Sequence, residues 1–116
     1  MLIVRLNRPK AMNSFNSPML HDLVFAFELA DLSLYVKAVV LTGSGERAFC
    51  AGADLSGGGF TYGRNFKPHM HRDGGGQCAL AILRCRKLVI AAIQGSAVGI
   101  GITMTLPADL RIVSDK

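Results

Sequence analysis

Two short apolar runs constrain this chain most: Ala38 to Thr42, closed by Gly43-Ser44-Gly45, and Leu88 to Ile93, closed by Gln94-Gly95. Runs of this length without polar alternation fit strands covered on both faces. Such strands belong to largely parallel sheets whose crossovers are helices. The flanking segments supply the other elements. Leu2 to Leu6 reads as a short strand broken at Asn7-Arg8-Pro9, because proline cannot donate to a ladder. Ser17-Pro18 reads as an N-cap followed by N1. Leu20, Leu23, Val24 and Phe27 then recur at helical spacing, predicting a helix to about Asp31 with one apolar face.

Further on, Gln77 to Arg86 regains helical spacing through Leu80, Ile82 and Leu83, and Gly99 to Leu106 predicts a short helix stopped at Pro107. Leu110 to Val113 reads as a last strand. Between Ser56 and Gly76 stand seven of the thirteen glycines with Pro68, His69 and His71, so the stretch 56–76 reads as a flexible loop. Strands alternating with helices imply an α/β layer structure. No internal repeat is visible.

Half of the 116 residues are hydrophobic, enough for a real core in a soluble globular chain. No run approaches the roughly 20 apolar residues that cross a bilayer, so no membrane segment is expected. Arg5 interrupts the N-terminus before any signal-peptide core forms, which makes an intracellular location the default. Cys50, Cys78 and Cys85 show no zinc spacing and read as reduced packing residues. Thirteen basic against eight acidic residues give a charge of +5, which favours an anionic partner. The basic residues are scattered apart from Arg84 to Lys87, with no aromatic interleaved, which argues against nucleic acid. His69-Met70-His71 lacks a third ligand, so no metal is assigned.

Chemistry is concentrated in two segments of small residues. Ala48 to Leu55 follows the first buried strand, and its small side chains let a ligand approach the main chain. Gly95 to Gly101 follows the second and opens a helix, where unpaired NH groups and the positive end of the dipole favour negative charge. Two NH donors aimed at one developing oxyanion stabilise it strongly without any particular side chain. Gly99-x-Gly101 is no dinucleotide fingerprint, because the third glycine would fall at Met104. Ser96 is not in a GxSxG elbow.

Together with Arg8 to Asn13, Val40 to Gly43, Ile90 to Ile93 and Ala108 to Ile112, these motifs closely resemble the enoyl-CoA hydratase/isomerase (crotonase) superfamily. The resemblance runs from Leu6 to Asp115 and implies a truncated crotonase-like ββα spiral, ending after the oxyanion-hole helix and its following strand. It implies oxyanion-hole NH groups at Ala53 and Ile100, the second position being usually glycine, so that the isoleucine narrows the pocket. Lys10, Ala11 and Met12, with Ala51, Gly52, Asp54, Leu55, Gly99 and Gly101, are implied to hold the acyl-CoA thioester. No separate cofactor is implied, since CoA is part of the substrate.

Thr103 stands where hydratases of the family carry a glutamate, and threonine is no base near neutral pH. The pattern resembles the enoyl-CoA isomerase branch, whose acid would lie beyond Lys116. Glu28 and Glu46, the two glutamates present, match no catalytic position, and Asp54 reads as a loop-orienting carboxylate. The resemblance further implies a homotrimer or hexamer for a full-length protein, in a peroxisome or mitochondrion, and a cytoplasmic place otherwise. Two readings stand: isomerisation of an enoyl thioester, with hydration beside it, or a non-catalytic acyl-CoA-binding or assembly module.

Overall fold

The computed structural model describes residues 1–56 and 73–116. In chain order they form β1 (Leu2–Leu6), a 3-10 turn (Pro9–Ala11), α1 (Ser17–Leu32), β2 (Ala38–Gly43) and β3 (Ala48–Cys50). Then come α2 (Gly74–Arg84), β4 (Leu88–Ile93), β5 (Ser96–Ala97), α3 (Ile100–Thr103) and β6 (Leu110–Val113). The two apolar runs become the central strands of a four-stranded parallel sheet ordered β1-β2-β4-β6. One register row reads Val4, Leu41, Ala91, Arg111, and the next reads Ile3, Val40, Ile90, Leu110.

Neighbouring residues of a strand face opposite sides, so these rows belong to opposite faces of the sheet. Val39, Leu41, Val89 and Ala91 are buried in one core with Leu20, Leu23 and Phe27 of α1 and Ile82 of α2. The other face is only partly covered among the described residues: Val40 and Ile90 of the central strands are half-buried there, and on the edge strands Ile3 is 51%, Leu110 52% and Ile112 62% exposed. The expectation of strands covered on both faces is therefore corrected. The described residues bury the central strands on one side, and an uninterrupted apolar run does not tell one buried face from two.

Helix starts are also shifted. Asn16, not Ser17, caps α1, its Oδ1 accepting from the Met19 NH at 3.0 Å, and Pro18 sits in the first turn where its missing NH costs nothing. The N-terminus of α2 lies inside the stretch expected to be loop. The Asp73 carboxylate accepts from the NH groups of Gly75 (3.4 Å) and Gly76 (2.9 Å), so the cap carries the helix through three glycines that each disfavour it. Residues 57–72, with His69, Met70 and His71 and the rest of the expected loop, lie outside the described residues. On α2 the buried positions are Cys78 and Ile82, one turn apart, while Leu83 is 64% exposed rather than part of the apolar stripe.

The region expected to be helical from Gly99 to Leu106 holds one turn of helix, α3, and continues as turns to Pro107. Its carbonyl ends are gathered by Arg111, whose Nη1 donates to the oxygens of Thr105, Leu106 and Ala108 at 3.0 to 3.2 Å. The dense basic run is likewise structural in part. Arg86 pairs with Asp31 at the end of α1 (3.0 Å), and Lys87 Nζ donates to the Ser33 carbonyl (2.8 Å). No helix among the described residues is long and apolar enough to cross a membrane.

Candidate active site

The two small-residue segments are joined by a ladder. β3 pairs in parallel with β5, Ala48 opposite Ser96 and Cys50 opposite Ala97, and the register shifts between the two pairs. Two further bonds extend the seam: the Ser96 NH to the Arg47 oxygen (3.2 Å) and the Val98 NH to the Cys50 oxygen (3.0 Å). Strands of three and two residues leave no readable period, which is why the sequence shows neither. Gly101 is packed so closely on this seam that a Cβ there would overlap the Cys50 carbonyl oxygen. Glycine is required at that point by space alone.

The start of β3 is pinned from two directions. Asn13 is fully buried, and its Nδ2 donates to the carbonyls of Ser44 and Ala48, both at 2.9 Å, while its Oδ1 accepts from the Arg8 NH at 2.8 Å. Gln94 Nε2 donates to the same Ala48 oxygen at 2.9 Å. Met12 and Asn13 both take positive φ, near 53° and 54°, so the loop doubles back and the Met12 oxygen accepts from the Ala51 NH at 3.0 Å. The sequence pointed to Asn13 as a motif position without a role. Its role is to bind the 8–14 loop to the sheet.

Beyond β3, Phe15 bridges Ala53. The Phe15 NH donates to the Gly52 oxygen (2.8 Å), and the Asp54 NH donates to the Phe15 oxygen (2.7 Å). The NH of Ala53, between them, makes no hydrogen bond among the described residues, and neither does that of Ile100 after Gly99. Both residues line one cavity of about 610 Å³ with Phe15, Asp73, Ala79 and Thr103. α3 has a single turn, so the dipole expected behind Gly99 is slight. What this corner offers an anion is individual NH groups rather than a long helix.

Asp54 does not reach into the cavity as a proton carrier. Hydrogen bonds from Ser56, then the Arg8 guanidinium at 3.0 Å, hold its carboxyl down at about 2, so it stays ionised and ties the Ala51 to Ser56 turn to Arg8. Of the remaining implied substrate contacts, Gly99 lines the cavity, while Lys10, Ala11 and Leu55 are exposed and do not. Glu28 lies apart, in a groove between α1 and α2 beside Asp31 and Arg84, and Glu46 sits exposed in the turn after β2. Asp73, Gly74 to Gly76 and Ala79 were missed as cavity residues. The signal was an aspartate directly before three glycines, an N-cap read as loop.

A parallel sheet flanked by helices, with two small-residue turns meeting at one cavity, is the arrangement of crotonase-fold proteins. The chain belongs to the enoyl-CoA hydratase/isomerase family, whose sequence profile matches residues 1–116. It is 45% identical over 114 residues to the enoyl-CoA hydratase ACTT3 of Alternaria alternata, covering 98% of this chain and 38% of that protein. Among solved structures, the enoyl-CoA hydratase of Bacillus anthracis matches with a TM-score of 0.78 at 31% identity, over 96% of this chain and 42% of that one. PA4980 of Pseudomonas aeruginosa matches with a TM-score of 0.83 at 33% identity, over 97% and 48%. The chain spans less than half the length of these relatives. The first two are named enoyl-CoA hydratases, the third carries no activity in its name, and none of the three specifies the isomerase branch.

Proposed function

We propose that this chain carries the thioester-binding part of an acyl-CoA active site, with the NH groups of Ala53 and Ile100 as its oxyanion donors. The observation that carries this reading is that both NH groups are free of partners among the described residues and border one cavity. A thioester oxygen seated between them gains charge as the C2 proton leaves. Two preset donors lower that barrier, each worth about 3 kcal/mol in comparable sites. Ala51, Gly52 and Met12 bring main chain to the CoA portion, with Gly99 and Gly101 behind the carbonyl.

Chemistry favours a proton shift over water addition. Thr103 lines the cavity at the position where the resemblance places the hydratase glutamate, and threonine cannot take a proton from the added water, whereas a proton shift needs one acid and no activated water. In the proposed isomerisation, a carboxylate that the described residues do not supply takes the C2 proton of a 3-enoyl thioester, the NH groups of Ala53 and Ile100 hold the dienolate oxygen, and the same group, now protonated, returns the proton at C4 to leave the conjugated 2-enoyl ester. Hydration is the second reading, favoured by the hydratase names of the relatives.

Incubating the protein with 3-enoyl-CoA and, separately, 2-enoyl-CoA distinguishes them. Conjugated product from the first supports isomerisation, and 3-hydroxyacyl product from the second supports hydration. Calorimetric binding of an acyl-CoA without either product identifies a non-catalytic binder, and no binding sinks the proposal.

A further inference from the structure

The sequence led us to expect that Ile100, at a position usually occupied by glycine, narrows the pocket; the structure offers a compensation. A methyl group built on Gly75 would stand 2.8 Å from Ile100 Cδ1 and 3.6 Å from its Cγ1, so the isoleucine lies against the first turn of α2. The other two glycines of that turn are not required by Ile100: a methyl on Gly76 would meet only Asp73 Oδ2, at 3.4 Å, and one on Gly74 would meet Leu20 and Phe15 instead. The Ile100 side chain is half-buried against the core, and the cavity beside it still measures about 610 Å³. A pocket of that size is within the range that encloses sizeable ligands.

The geometry points to Gly75 and Ile100 as a complementary pair that sets acyl-chain specificity: Gly75 receives the isoleucine, leaving the cavity open to acyl chains longer than acetyl. This inference rests on the acyl-CoA reading above. Its physical basis is that the terminal carbon of isoleucine yields when a methyl group is placed at Gly75, and the space that remains for it is the cavity it lines. Neither residue need touch the reacting carbons, and the Ile100 NH is retained whatever its side chain.

The test uses the protein expressed from its complete reading frame, as wild type, Gly75→Ala, Ile100→Gly and the double variant, titrated calorimetrically with acetyl-CoA and octanoyl-CoA. Gly75→Ala is expected to lose at least tenfold in octanoyl-CoA affinity relative to acetyl-CoA, and Ile100→Gly in the same chain to restore the ratio. Thermal midpoints read the pair without ligand: Gly75→Ala should melt below Gly76→Ala, and the difference should vanish when Ile100 is glycine. An unchanged affinity ratio in Gly75→Ala, or a double variant that restores neither ratio nor midpoint, overturns the inference. Wild-type protein that binds neither ester refutes the acyl-CoA reading and the specificity role with it, while the midpoints still report whether the two residues pack as a pair.

Discussion

At the residue scale, the site depends on main-chain atoms that a few side chains hold in place. Asn13 is the clearest case: its side chain donates to the carbonyls of Ser44, after β2, and Ala48, at the start of β3, and accepts from the Arg8 NH in the 8–14 loop. Asn13→Ala leaves the buried Ala48 oxygen with Gln94 alone and deprives the Ser44 oxygen of this donor. A loss of about 1 to 3 kcal/mol in urea unfolding is expected, with Asn13→Asp no better, since a carboxylate has no NH2 to donate. Gly101→Ala, which drives a methyl into the Cys50 carbonyl, should cost about 3 kcal/mol or separate β3 from β5, visible as loss of amide protection at Val98. Asp54 makes a pH prediction. Its folded pKa of about 2 lies below the ordinary 3.8, so its contribution is complete above the unfolded value and is lost as pH falls from 3.8 toward 2. Asp54→Asn should flatten the dependence of the thermal midpoint on pH in that window.

At the scale of elements, α2 shows how a single carboxylate decides where a helix begins. Asp73→Ala removes the acceptor for two NH groups ahead of three weak helix formers and is expected to cost about 1 kcal/mol and fray the turn that borders the cavity. Circular dichroism and hydrogen exchange at Gly76 and Gln77 would show it. The same element explains what was legible in the sequence. The strands from Leu2, Ala38, Leu88 and Leu110 were legible because each is a run of apolar or β-branched residues ended by a breaker, and α1 was legible from its period. The start of α2 was not, because glycine composition outweighs a cap when only a window is read. β3 and β5 were not, because their pairing joins residues almost fifty positions apart and carries no local pattern.

At the scale of the molecule, the motifs identified the family, whereas the contacts linking them had to come from the fold. The partly covered face of the sheet, with Ile3, Leu110 and Ile112 exposed, could not be read from strands whose apolar runs fit either one covered face or two. The thiols divide by their place in the core. Burial pushes Cys78 up to about 12 and raises Cys50 as well, while Cys85 is only half-buried. A thiol reagent at pH 8 should therefore label Cys85 promptly and reach Cys50 and Cys78 only as the protein unfolds. Prompt labelling of Cys50 would mean that the seam beneath the site opens in the native state.

The β3–β5 seam also acts as a caliper. Adjacent strands sit about 4.8 Å apart because of peptide hydrogen-bond dimensions, so the separation of the two turns that leave them is set by backbone chemistry common to all sequences. Side chains around the jaws, among them Ile100 and Thr103, line the cavity without setting the gauge. Such a gauge is indifferent to the side chains around it, so substitutions at Ile100 or Thr103 should change what fits in the cavity far more than the spacing of the Ala53 and Ile100 NH groups.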